Sequence, residues 1–325
     1  MAGFPITGLW ISGFQRSLSF RNLLFPFRLA FSLMRAAGII RKFKPAAVVG
    51  VGGYASGPTV KMAAWKKIPA LLQEQNSYPG ITNKLLAKDA EKICVAYPDM
   101  EKYFPAEKLI VTGNPVRQHV IEIEGKRDYA FEYFELDKNK QTILIVGGSQ
   151  GARAINEAVD ENLMLFAMNN IQLIWQTGKR YVEQAQKSIL AKLNGNNKKL
   201  VKVKEFITRM DLAYAAADMV ISRAGAIAIS ELSATGKPCI FVPLPTAAED
   251  HQTHNAEALV KQNAAIHLKN SEAKEKLGKT AVDLTKNEEL RKTLSENIKK
   301  MAVKDSADRI AEEILEMIKS REVDE

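Results

Sequence analysis

Short apolar runs rich in β-branched residues alternate with longer amphipathic stretches along nearly the whole chain. Ala46–Val51, Ile68–Gln73, Lys92–Ala96 and Leu109–Thr112 read as buried strands in the first part. Thr142–Val146, Gln172–Gln176, Val201–Phe206, Met219–Ser222 and Pro238–Val242 repeat that character in the second. Between them lie segments of helical length, for example Ala152–Met168 and Ile227–Ala234. Strands that are apolar on both faces, separated by helices, predict parallel sheets covered on either side. The expected fold class is therefore α/β and doubly wound.

The pattern breaks once. After Gly113–Arg117 (GNPVR) comes a charged stretch, EIEGKRDYAFEYFELDKNKQ, before a fresh strand begins. A boundary there gives domains of residues 1–120 and 121–325, in keeping with 325 residues at about 150 per domain. In each half one strand runs into a glycine loop and then a helix. The last fifty residues are Lys- and Glu-rich helices, and Ile310, Ile314 and Met317 form an apolar stripe at helical spacing.

Composition narrows the class of partner. Hydrophobic residues make up 46% and charged residues 26%, which excludes disordered, collagenous and multi-span membrane chains. The net charge of +9 asks for an anionic partner: nucleic acid, a phosphate-bearing ligand or an acidic lipid surface. With aromatics at 7% and no recognition motif, nucleic acid is set aside. Cys94 and Cys239 sit in apolar settings and read as two buried thiols rather than a disulfide. No Cys/His grouping suggests zinc, and Arg28 and Arg35 interrupt Leu23–Ile40, so it is no spanning helix.

Two glycine loops directly follow strands: Gly50–Pro58 (GVGGYASGP) and Gly147–Arg153 (GGSQGAR). Neither has the GK[ST] ending of a nucleotide-triphosphate loop or the spacing of a dinucleotide fingerprint. Each is either a tight strand–helix turn or an anion cradle, in which glycines admit close approach and a helix N-terminus offers free N–H groups. Ser149 adds a hydroxyl and Arg153 a charge. One loop per half favours a ligand lying between the domains. A third segment, Ser222–Glu231 (SRAGAIAISE), turns at Gly225 and carries Glu231 in the second turn of the following helix. That carboxylate is either a solvated helix residue or an acceptor for two ribose hydroxyls. In a fourth, Pro243–Leu259, His251, His254 and Glu257 share a helical face that reads as polar rather than metal-binding. Gln252 and Asn255 there suit a sugar hydroxyl or an acetamide. No Asp-x-Asp pair occurs, which points to neutralisation by helix dipoles and Arg, with no metal and no cofactor.

Taken together, GVGGYASGP, LLQEQNSYPGITNKLLAK, VTGNPVR, ILIVGGSQGAR, SRAGAIAISE and DHQTHNA resemble the MurG-type transferases of glycosyltransferase family 28. The likeness covers nearly the whole chain. It implies a GT-B fold, two Rossmann-like domains facing across a cleft, with the last helix (about residues 305–320) packing back on the first domain. It also implies inverting transfer of N-acetylglucosamine from UDP-N-acetylglucosamine to undecaprenyl-diphospho-muramyl-pentapeptide, in peptidoglycan synthesis at the cytoplasmic face of the membrane. Cell-wall synthesis proteins are then candidate partners. Carried over by position, donor-binding residues are Asn76, Arg117, Ser149, Ile207, Ala226, Ile227, Ala228, Ile229, Ser230, Glu231 and Gln252, with Asn255 beside them. The acceptor diphosphate falls at Gly52, Gly53 and Tyr54. Glu74 is the available carboxylate near the attacking hydroxyl, as a positioning residue ahead of a general base.

One departure stands out. The family opens with a strand and a GGTGGH-type loop, and these 325 residues contain neither, so about 30 residues of a first βαβ unit are missing from the pattern. No histidine matches that motif. The expectation drawn from this is a chain that binds UDP-N-acetylglucosamine but transfers it poorly. The competing readings are a binding or scaffold protein and a GT-B UDP-N-acetylglucosamine 2-epimerase. A membrane face is expected over Asn22–Lys44. There Arg28, Arg35 and Lys42 recur every seven residues beside Leu24, Phe27, Phe31 and Met34, with Pro26 in the first helical turn.

Overall fold

The structure, a computed structural model, describes residues 3–11 and 24–324; Asn22, at the start of the expected membrane segment, lies outside them. The chain divides into two compact units, Met1–Asn114 with Asp305–Glu325, and Pro115–Lys304.

In the first unit α1 (Phe25–Phe43) precedes β1 (Val48–Gly50), α2 (Gly53–Trp65), β2 (Ala70–Glu74), α3 (Ile81–Leu86), β3 (Lys92–Val95) and β4 (Leu109–Val111). The four strands are parallel, in the order β1-β2-β3-β4. Side chains alternate across the sheet. Val48, Leu72, Ile93 and Val95 pack with Val60 and Ala63 of α2, while Leu71 and Cys94 face the other way.

The second unit begins with α4 (Gln118–Ile121) and α5 (Arg127–Tyr133). Then follow β5 (Thr142–Val146), α6 (Arg153–Glu161), α7 (Leu163–Met168), β6 (Gln172–Gln176), α8 (Val182–Lys192), β7 (Val201–Lys204) and α9 (Met210–Ala216). The chain continues through β8 (Met219–Ser222), α10 (Ala226–Thr235), β9 (Cys239–Phe241), α11 (His251–Lys261), β10 (Ile266–His267), α12 (Ala273–Lys286) and α13 (Glu288–Lys300). Its six parallel strands run β10-β9-β8-β5-β6-β7. The order reverses between β5 and β8, and at such a switch point the carboxyl ends of the strands leave a crevice for a ligand. Finally α14 (Ser306–Asp324) returns to the first unit, where Ile310, Ile314 and Met317 cover Leu71 and Cys94.

Three features differ from the sequence expectations. The charged stretch after Arg117, where the boundary was expected, is folded: Ala130, Phe131 and Phe134 are buried. Lys126 pairs with Asp211 (3.1 Å) and Arg127 with Asp218 (2.7 Å), so the unit boundary falls at Asn114–Pro115 and residues 115–120 belong with the second unit. The single helix expected over Ala152–Met168 is two, broken at Asn162. There the backbone of Gly278 in α12 sits so close that a Cβ on it would collide with the Asn162 side chain. The edge strand β10 is two residues long, too short to leave a pattern. Cys94 and Cys239 are both free and buried, with one in each unit.

Candidate active site

The loop after β5 is a tight glycine turn that leads into α6. Gly151 takes φ +76°, and a Cβ on it would run into the Thr177 carbonyl, so only glycine fits. Its N–H closes a turn on the Gly148 carbonyl at 3.0 Å, while Ser149 and Gln150 are exposed and the first turn of α6 leaves its N–H groups without a partner inside the helix. The loop rests on the segment after β6, where the Asn156 side chain donates to the Thr177 carbonyl (2.8 Å) and is itself held by the Trp175 indole N–H (3.0 Å). Arg153, expected to bring a charge to the loop, lies along α6 and pairs with Glu157 at 2.6 Å.

Across the switch point, α10 starts at Gly225, so the N–H groups of Ala226, Ile227 and Ala228 have no partner inside the helix. Ile229 donates to Gly225, and the Ser230 hydroxyl bonds back to the Ala226 carbonyl. Glu231, one turn on, is 6% exposed. Its carboxylate accepts the Tyr214 hydroxyl at 2.9 Å and a longer contact from Arg117 at 3.5 Å. Burial, and then the Glu231 anion beside it, hold the Tyr214 phenol well above its ordinary range. Arg117 and Glu231, two separately expected donor residues, thus meet each other.

Two expectations change in detail. Ile207 sits in the loop after β7 as expected, but its N–H is spent on the Gln176 side chain at 2.9 Å. Its carbonyl is the backbone polar group left to offer at this position. In α11, Gln252 accepts the Leu244 N–H through its side-chain oxygen at 2.9 Å, keeping its NH2 to offer. Asn255 does not join it. That side chain is 0% exposed and reaches the Ala224 carbonyl at 3.3 Å, so it supports the turn into α10 rather than a sugar.

In the first unit, Gly52 caps α2 with φ +81° and Gly53 follows at +73°, while the Ser56 hydroxyl bonds the Gly52 carbonyl. Tyr54 is exposed in the first turn. Glu74, at the end of β2, is 2% exposed and accepts four hydrogen bonds. They come from the Asn76 amide (3.0 Å) and side chain (3.1 Å), the Gly80 amide (3.1 Å) and the Asn83 side chain (2.8 Å). Four donors fill the four lone-pair positions of a carboxylate. Glu74 is therefore the hub of the loop 75–80 and not a free base. Asn76, expected at the donor, bonds that hub through both its amide and its side chain.

Comparison with known proteins decides the family. The model of the glycosyltransferase family 28 C-terminal domain matches residues 142–310, and that of the family 28 N-terminal domain matches residues 1–95. A Parabacteroides distasonis protein is 52% identical over 317 residues, spanning 98% of this chain and 85% of its own. It is named UDP-N-acetylglucosamine–N-acetylmuramyl-(pentapeptide) pyrophosphoryl-undecaprenol N-acetylglucosamine transferase. This chain belongs to glycosyltransferase family 28.

Solved structures agree. Acinetobacter baumannii MurG superposes with TM-score 0.73 at 29% identity, over 90% of this chain and 79% of that one. A Listeria monocytogenes protein titled a putative UDP-N-acetylglucosamine 2-epimerase shares the fold alone: TM-score 0.65, 13% identity, 91% of this chain and 78% of that one. The family 28 chain thus has the GT-B class of fold, with two parallel-sheet α/β units. Sequence reasoning missed Gln176 and Tyr214. Both are internal polar side chains whose partners lie far along the chain, and nothing local marks them. Among the described residues no three His, Cys, Asp or Glu side chains group as a metal site, and no helix is long and apolar enough to cross a membrane.

On α1, Ser32, Ala36 and Ile40 face inward, while Phe27, Phe31 and Met34 are exposed along one stripe. Arg35 and Lys42 flank it in solvent. Arg28 does not stand free with them: its guanidinium lies over the Trp10 ring, 5.3 Å from the centroid.

Proposed function

We propose that this chain transfers N-acetylglucosamine from UDP-N-acetylglucosamine to undecaprenyl-diphospho-muramyl-pentapeptide, with inversion at the anomeric carbon, as a step of peptidoglycan synthesis. The observation that carries the reading is the switch point of the six-stranded sheet. Loop amides and two helix N-termini converge there with one buried carboxylate, which matches a diphosphate joined to a ribose. Its chemistry agrees with the names of relatives about half identical to this chain.

In this reading the amides of Ser149 and Gln150 and the first turn of α6 hold the UDP diphosphate. Glu231 accepts the ribose hydroxyls, the Ile207 carbonyl reads uracil, and the Gln252 NH2 meets the sugar. As the acceptor hydroxyl attacks from the face opposite UDP, negative charge grows on the departing diphosphate. Preorganised N–H groups stabilise that charge without reorganising. Arg117 is largely exposed and only loosely paired, so its guanidinium is free to turn to the same charge. Gly52, Gly53 and Tyr54 offer the N-terminus of α2 to the acceptor diphosphate, and Glu74 fixes the loop beside it through Asn76 and Asn83.

A lipid-linked acceptor gives the exposed stripe on α1 a purpose. Phe27, Phe31 and Met34 enter the interface while Arg35 and Lys42 meet anionic headgroups, each cation contributing about 1 kcal/mol. The enzyme then works as a peripheral membrane protein. Calorimetry with UDP, followed by UDP release from UDP-N-acetylglucosamine with and without the lipid-linked acceptor, tests the proposal. Release that depends on the acceptor supports it. Formation of UDP-N-acetylmannosamine without acceptor would replace it with an epimerase.

A further inference from the structure

Gln176 is the last residue of β6 and is 3% exposed. Its side-chain nitrogen donates to the Gly148 carbonyl at 3.1 Å, and its side-chain oxygen accepts the Ile207 N–H at 2.9 Å. One buried amide therefore joins the loop after β5 to the loop after β7. The Gly148 carbonyl also accepts the Gly151 N–H, so both of its lone pairs are occupied by donors of the protein itself. This decides the polarity of the phosphate loop. With that carbonyl turned inward, the neighbouring Ser149 and Gln150 amides present positive dipole ends outward; turned outward, it would oppose an anion. The same holds at the other end. With its N–H turned inward, Ile207 is left its carbonyl, the acceptor that a uracil N3–H requires.

The backbone beyond Gln176 reinforces the link. The Thr177 and Gly178 N–H groups donate to the carbonyls of Lys204 and Glu205, at 3.0 and 3.1 Å, tying the end of β6 to the strand that leads into Ile207. On its other side Gly178 presses against the Gln150 carbonyl, where a Cβ would come within 2.6 Å. Shifting either loop therefore strains the other through Gln176 and its two followers.

We propose that Gln176 is a positioning residue that couples the base-reading and diphosphate-binding loops, so that the two ends of a uridine diphosphate bind cooperatively. The inference rests on the reading of this crevice as a UDP-sugar site. It assigns Gln176 no contact with the ligand; the residue acts through Gly148 and Ile207. A glutamate there keeps the acceptor for the Ile207 N–H but sets a carboxylate oxygen against the Gly148 carbonyl, so it disturbs the phosphate end alone. A methionine of similar size removes both bonds.

The test is isothermal titration of the full chain with UDP, uridine and inorganic pyrophosphate, with a thermal melt of each variant as the control for folding. Gln176→Glu should weaken UDP about 10-fold or more, the scale of one buried hydrogen bond, and leave uridine within about 2-fold. In Gln176→Met the loss for UDP should exceed the product of the losses for uridine and pyrophosphate. Should Gln176→Glu fail to fold, the methionine series alone decides. UDP affinities within about 3-fold of the native chain in the folded variants, or equal losses for uridine and UDP in Gln176→Glu, would overturn the inference. A native chain that binds no UDP sinks the donor-site reading first and the coupling with it.

Discussion

Glu74 shows how a side chain's role is decided by what already touches it. A carboxylate in a matching motif suggests general-base chemistry, yet four donors converge on this one, and a proton would have to displace one of them. Glu74→Gln puts an NH2 against at least one of those donors. It should cost about 2–3 kcal/mol of stability in denaturant unfolding, while the pH–rate profile keeps its shape. Loss of the acid limb of that profile would restore Glu74 as a base. Tyr214 acts in the opposite sense, as an unanticipated support for an anticipated residue. Tyr214→Phe removes the 2.9 Å hydrogen bond to Glu231, a charge-assisted bond whose loss should raise KM for UDP-N-acetylglucosamine about 10-fold with little change in kcat. A 2′-deoxyuridine donor should show a much smaller effect. At this scale the sequence revealed glycines and carboxylates, which announce themselves by local spacing. Gln176, Tyr214 and the inward turn of Asn255 depend on partners 17–31 positions away and become visible only in the folded chain.

Elements were the most legible scale. β5, β6 and β8 span the expected bounds, because the interior of a strand buried on both faces is a continuous apolar run: Ile143–Ile145, Leu173–Trp175 and Val220–Ile221. Packing overrides pattern at Asn162, and in α5 the charged run carries Ala130 and Phe131 buried on its inner face, so the unit boundary lies before it. Phe27, Phe31 and Met34 are exposed, but Arg28 stacks on Trp10, so the charge test belongs to its neighbours. Arg35→Glu with Lys42→Glu should turn about 2 kcal/mol of attraction to anionic vesicles into a similar repulsion and abolish salt-sensitive binding in a sedimentation assay. Neutral vesicles should show little difference. Unchanged binding to anionic vesicles would move the contact to another face.

For the molecule as a whole, the return of α14 to the first unit matters most, because residues some 220 positions apart then share one core. Lys92 pairs with Glu313 (2.6 Å) and with Glu316, and Ile310 and Met317 close over Leu71 and Cys94. That cover pushes the Cys94 thiol up to about 11. Met317→Ala should cost about 2–5 kcal/mol and raise the labelling rate of Cys94 by a thiol reagent at least 10-fold, with Cys239 as the unchanged internal control in peptide mapping. The +9 net charge, which pointed only to some anion, now has two proposed destinations: diphosphates at the glycine loops and headgroups beneath α1. The central claim is that this chain makes a new glycosidic bond to a lipid-linked acceptor with inversion. The most direct measurement is NMR of the anomeric proton in the product formed from UDP-N-acetylglucosamine and undecaprenyl-diphospho-muramyl-pentapeptide. A β-linked N-acetylglucosamine on the acceptor, lost in Glu231→Ala, is the predicted result; an α-linked product, or none while UDP still binds, would contradict it.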